Sequence, residues 1–157
     1  MGMDVYGKAP KTPKGEYFRN NVWWWRPLWD YCVETADDII PTEGALAGHQ
    51  NSGWGLDADG AKRLGRRLHE QLKAGHTKQY GESRKQRLDS LPNEPCTICG
   101  GKGRRAEPPR TGPGTRPCNA CGGKGQTRPW ETEYPFAEDN VREFANFLTE
   151  SGGFEIH

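Results

Sequence analysis

Cys96-Thr-Ile-Cys99-Gly-Gly-Lys-Gly103 and Cys118-Asn-Ala-Cys121-Gly-Gly-Lys-Gly125 are one eight-residue pattern written twice, in register, 22 residues apart. Each Cys-x-x-Cys sets two sulfurs on the same side of a tight knuckle. The glycines behind it can take positive φ, which turns backbone N–H groups toward the sulfurs. Two knuckles supply four soft ligands, the full complement of a tetrahedral zinc site with Zn–S near about 2.3 Å. Such a shell is closed and leaves no coordination position for water or substrate. The sequence therefore predicts one structural zinc bound by Cys96, Cys99, Cys118 and Cys121, with no Lewis-acid chemistry at the metal. An iron–sulfur cluster is the rival metal reading. Thioredoxin-type redox chemistry fits less well, because the motifs are duplicated, glycine-flanked and outside any βαβ pattern; a reducing compartment disfavours disulfides.

Outward from this finger, which we bound at residues 95–130, helical patterns lie on both sides. Downstream, Asp139 is expected to cap a helix whose Val141, Phe144, Ala145, Phe147 and Leu148 form an apolar stripe. Ser151-Gly-Gly153 stops it before a short strand at Phe154-Glu-Ile156. Upstream, Leu56-Asp-Ala-Asp-Gly60 opens a helix, with Asp57 or Asp59 as cap, in which Ala61, Leu64, Leu68 and Leu72 recur at helical spacing. Gly75 ends it as a left-handed cap. Lys62, Arg63, Arg66, Arg67 and Lys73 on its other face read as solvated, and residues 76–94 as a helix extension or linker. Nearer the start, Met3 to Tyr6 reads as a short strand and Tyr17 to Trp25 as rich in strand formers. Pro27 fits the first turn of a helix reaching about Asp38, followed by a loop from Pro41 to Gly55. The expected fold class is α+β: a small aromatic-rich helical body with short strands, residues 1–94 and 131–157, carrying an inserted zinc-binding hairpin module.

A chain of 157 residues has room for one domain with an insertion, not for two independent cores. Apolar content of 32% and a mean hydropathy of −0.97 predict a small core, and six tryptophans make it an aromatic one. A metal clip supplements such a core. The fifth cysteine, Cys32, reads as a small buried hydrophobe. No apolar run is long enough to span a bilayer and the first residues lack a secretory pattern, so the expectation is a cytoplasmic protein without membrane contact. The net charge is +1, yet Lys62 to Trp130 holds sixteen Lys and Arg against five Asp and Glu. That segment is a candidate polyanion contact.

The repeated Cys-x-x-Cys-x-Gly-x-Gly pattern, residues 96–125, resembles the cysteine-rich zinc finger of DnaJ-type chaperones, in which such repeats pair on extended hairpins. That resemblance implies a hairpin fold for the finger and contact with a protein. The family carries four repeats and this chain two, enough for one site. No histidine here opens a His-Pro-Asp, so stimulation of a chaperone ATPase is not implied. The flanks, including Tyr17-Phe-Arg-Asn-Asn-Val-Trp-Trp-Trp-Arg-Pro27 and Gly55-Leu-Asp-Ala-Asp-Gly-Ala61, resemble a group of bacteriophage and actinobacterial proteins of no assigned activity. This implies phage origin.

Two further groups are candidate surfaces. Trp23, Trp24 and Trp25 read first as core packing and second as a surface that stacks a base or nucleotide, whose phosphate Arg19 or Arg26 could hold. Arg104, Arg105, Arg110, Arg116 and Arg128 could follow a phosphate backbone, although the Pro- and Gly-rich spacer holds no recognition helix. Nucleophile, base and orienting group are nowhere recognisable together, so no enzyme is expected. The leading expectation is a non-enzymatic, zinc-stabilised binding protein, phage-encoded, that engages a host macromolecule, foremost a protein, through its finger or aromatic body. The alternatives are a nucleic-acid-binding accessory protein using segment 62–130 and a binder of a nucleotide-like small ligand.

Overall fold

The computed structural model describes residues 2–105 and 114–157 and has the mixed α and β character read from the sequence. The chain forms two compact units, Met1–Arg84 with Tyr134–His157, and Lys85–Glu133. The first contains β1 (Gly2–Gly7), β2 (Tyr17–Asn21), α1 (Val22–Thr35), α2 (Thr42–Ala47), α3 (Ala58–Lys73) and the start of α4 (His76–Ser90). The second contains the end of α4, β3 (Glu94–Pro95), β4 (Arg104–Arg105), β5 (Arg116–Pro117) and β6 (Gln126–Thr127). The chain then returns to the first unit with α5 (Glu138–Glu150) and β7 (Phe154–Ile156). No helix among the described residues is long and apolar enough to cross a membrane.

In the first unit β1 is the middle strand of an antiparallel sheet ordered β2-β1-β7. Side chains alternate across it as the pleat requires: Met3 and Val5 are buried with Phe18, Phe154 and Ile156, while Tyr6 and Tyr17 are exposed. The strand expected to run on through Trp25 stops at Asn21. Its side chain accepts hydrogen bonds from the N–H groups of Trp23 and Trp24, each 3.1 Å, and this cap starts α1 at Val22. Pro27 consequently lies inside α1 rather than in a first turn. Helical spacing then brings Trp25, Leu28, Trp29 and Cys32 to the core side.

Where a loop was expected, α2 packs against those tryptophans. A Cβ on Gly48 would lie 2.1 Å from the Trp29 indole, and one on Gly44 would lie 2.2 Å from Trp54. The same turn satisfies the buried indole donors: Trp25 Nε1 donates to the Gly48 carbonyl at 2.7 Å and Trp29 Nε1 to that of Gly44 at 3.3 Å.

Helix α3 begins as read, with the Asp57 carboxylate accepting from the N–H of Gly60 at 2.8 Å, and Gly75 follows it at φ +78. On α5 the cap position is Ala137, without a side-chain bond, and Asp139 sits in the first turn, where its charge still meets the positive end of the helix. All five residues of the expected α5 stripe are buried. The two helices meet at Gly65, where a Cβ would stand 2.9 Å from Thr149 Cγ2 and 3.1 Å from both the Ala145 carbonyl oxygen and Leu148 Cβ. Gly65→Leu should lower unfolding free energy by about 1–3 kcal/mol through overpacking. An unchanged urea midpoint would show that the helices can part without loss. Helix α4 is tied down at its start by Tyr31, whose hydroxyl meets Thr77 Oγ1 at 2.9 Å and whose ring lies 4.7 Å from Tyr80 and 5.4 Å from Phe136.

Candidate metal centre

The second unit is assembled from the two repeats, each completing the other. The strand before the first knuckle pairs with the strand after the second, β3 with β6, and the strand after the first pairs with the strand before the second, β4 with β5. Cys96 N–H donates to the Gly125 carbonyl at 2.9 Å, and Cys118 N–H to that of Gly103 at 2.8 Å. Within each knuckle Gly101 N–H returns to the Cys96 carbonyl and Gly123 N–H to that of Cys118, at 3.1 and 2.9 Å. Gly103 and Gly125 have φ of +69 and +76, and a Cβ on either would come within 2.4 Å of a carbonyl oxygen in the opposite repeat. These turns aim the Gly103 N–H at Cys99 Sγ and the Gly125 N–H at Cys121 Sγ, both at 3.2 Å.

The four sulfurs converge. Cys96 and Cys118 Sγ are 4.0 Å apart, Cys99 and Cys121 Sγ are 3.9 Å apart, and all four lie within 4.8 Å of one another. A tetrahedral shell with metal–sulfur bonds of about 2.3 Å has edges of about 3.8 Å, so the spacing suits one metal ion. All four cysteines are free thiols and buried. Burial pushes the Cys99 thiol up. Burial also acts upward on Cys118, but hydrogen bonds from the backbone N–H groups of Cys121 and Ala120 and from neighbouring thiols outweigh it, bringing it down to about 7. Crowded sulfurs with directed N–H donors are a shell prepared for anionic sulfur around a cation. They are also the core of this unit: its buried cluster consists of these cysteines, and Leu88 and Pro129 are further buried aliphatic side chains in it.

The remaining sequence-derived candidates are dispersed. Trp25 is fully buried and Trp24 half-buried, while Trp23 is exposed and lies 4.8 Å from the Tyr134 ring, over which Arg26 sits at 5.8 Å. Arg19 is 3.6 Å from Asp4. Of the arginines in the finger, Arg104 donates to the Thr115 carbonyl at 2.9 Å, Arg105 faces Arg116 across β4 and β5, and Arg110 lies outside the described residues. Arg128 donates to the carbonyls of Leu88 and Leu91 at 2.6 and 2.8 Å, closing the C-terminal end of α4, a role its sequence surroundings do not announce. Cys32 is buried on α1, and burial pushes its thiol up, keeping it unreactive.

Compared with protein-family models, curated proteins and solved structures, the chain matches no family model, no protein and no structure.

Proposed function

We propose that this chain is a non-enzymatic binding protein whose module Lys85–Glu133 is held in shape by one zinc ion, of the kind found in DnaJ-type fingers. The carrying observation is the closed set of four buried sulfurs within 4.8 Å of one another. Four thiolates fill a tetrahedron, so Cys96, Cys99, Cys118 and Cys121 would bind the ion and leave it no position for a reactant. What the module offers outward is contact surface: Ile98, between the cysteines of the first knuckle, is 43% exposed, and Trp130 is 65% exposed. Exposed apolar anchors on a small rigid element suit a protein partner. With the resemblance of the flanks to phage proteins, that partner is a host protein in the cytoplasm.

Elemental analysis of the purified chain should find one zinc per molecule, and two, none, or iron would overturn the metal assignment. Affinity capture from host lysate should recover the same proteins with the wild type in repeated experiments and lose them with Ile98→Asp and Trp130→Ala together. Full recovery by the double variant would reject this surface.

A further inference from the structure

A different surface, on the first unit, carries an unused line of positive charge. Lys62, Arg66 and Lys73 recur on α3 at spacings of four and seven residues, with the imidazole of His69 between the last two, which places them along one side of the helix. At about 1.5 Å per residue the line is about 16 Å long. With Glu70 and Thr149 they border an open groove of about 320 Å³. Past Lys62 and Thr149 the groove continues into another of about 270 Å³, where Lys11 adds a further cation and Asp59 an acid.

The neighbouring arginines show what internal neutralisation looks like on this helix. Arg67 grips both oxygens of Asp38 at 3.0 and 3.1 Å and holds the Asp38 carboxyl below its ordinary range, while Arg63 lies 3.7 Å from Asp38 and 3.9 Å from Asp59. Among the described residues Lys11, Lys62, Arg66 and Lys73 form no ion pair. Like charges at helical neighbour spacing repel, and the two acids beside this line, Glu70 and Asp59, are outnumbered by Lys11, Lys62, Arg66 and Lys73. An external anion would relieve the repulsion. A line, unlike a converging nest, matches an anion that repeats along a chain rather than a single phosphate. The groove lining contains no Phe, Tyr or Trp on which a base could stack, which limits recognition to the backbone.

We propose that the α3–α5 groove binds a nucleic-acid backbone without regard to sequence, with phosphates against Lys62, Arg66 and Lys73. The test is fluorescence anisotropy of the zinc-loaded full chain with labelled oligonucleotides, single-stranded and duplex, of two unrelated sequences. Binding should be similar for both sequences and fall with salt, with a log–log slope of about −2 to −3 for three neutralised phosphates. Lys62→Glu with Arg66→Glu and Lys73→Glu should weaken it roughly tenfold or more and flatten the slope. The neutral set K62Q, R66Q and K73Q, which keeps helix propensity, should lose less. Arg104→Glu with Arg116→Glu, in the zinc module, should leave affinity within about twofold if the α3 line is the contact. The proposal is overturned by absence of binding at about 50 mM salt. It is equally overturned by wild-type binding in the α3 triple variant, or by capture of inorganic tripolyphosphate with no capture of oligonucleotide. Each of these leaves the zinc module and its protein partner unaffected as a reading.

Discussion

Chelation of the metal is expected to unfold Lys85–Glu133 and spare the first unit. Hydrogen exchange is the suitable measurement. Amides of Cys96, Gly101, Gly103, Cys118, Gly123 and Gly125, all engaged across or within the knuckles, should lose their protection, while those of β1, α3 and α5 keep it. The size of the effect follows from what the module lacks. Its buried cluster is the four cysteines, and a shell of sulfur without a cation is a set of crowded dipoles and charges rather than a hydrophobic core. Apparent zinc-binding energies of about 10–16 kcal/mol in small fingers exceed anything the short strands β3 to β6 could supply. Cys96→Ser and Cys118→Ser should each reproduce the chelated state. Acidification should act in the same direction, because ligation requires thiolates and protons compete for them as pH falls. Retained protection in the metal-free module would mean that its hydrogen bonds suffice alone.

Trp25→Ala should be the most damaging single change in the first unit, at about 3–5 kcal/mol. Trp25 stacks on Trp29 at 5.6 Å, meets Phe144 edge-on at 5.5 Å and donates to the Gly48 carbonyl. Truncation leaves both a void and a buried carbonyl without its donor. Trp23→Ala, two residues earlier, removes a ring that is 46% exposed and should cost under about 1 kcal/mol. Urea unfolding followed by far-UV circular dichroism separates the two, and similar losses would contradict the burial pattern. Metal content should be unchanged in both.

That contrast shows what the sequence could and could not convey. Three consecutive tryptophans on a helix point about 100° apart, so they cannot share one fate. Whether Trp23, Trp24 and Trp25 were core or surface was undecidable until the helical phase was known. The phase was set by Asn21, whose capping bonds overrode the strand preference of the aromatic run. Helix α2 was hidden for a related reason. Gly44 and Gly48 look like breakers in a local reading, but their missing side chains are what lets the helix sit on the indoles of Trp54 and Trp29. Helices α3 and α5 were legible because their apolar period is local, and the knuckles because the spacing of cysteine and glycine itself dictates the turn. The pairing of β1 with β7 joins segments from opposite ends of the sequence, and no local pattern encodes that partnership. On α3, charge composition was legible, but which arginines were neutralised by Asp38 was not.

The reciprocal bonding of the repeats also bears on how the module could have arisen and how it loads. Cys96 to Gly125 and Cys118 to Gly103 are the same contact made in both directions, the signature of an isologous dimer, here with both protomers on one string. The spacer between them acts as a tether that raises the effective concentration of each repeat for the other. A peptide carrying a single repeat should therefore need high concentration to take up metal, and then as a pair. In the intact chain, metal added at less than one equivalent should yield fully loaded and empty molecules rather than half-built ones.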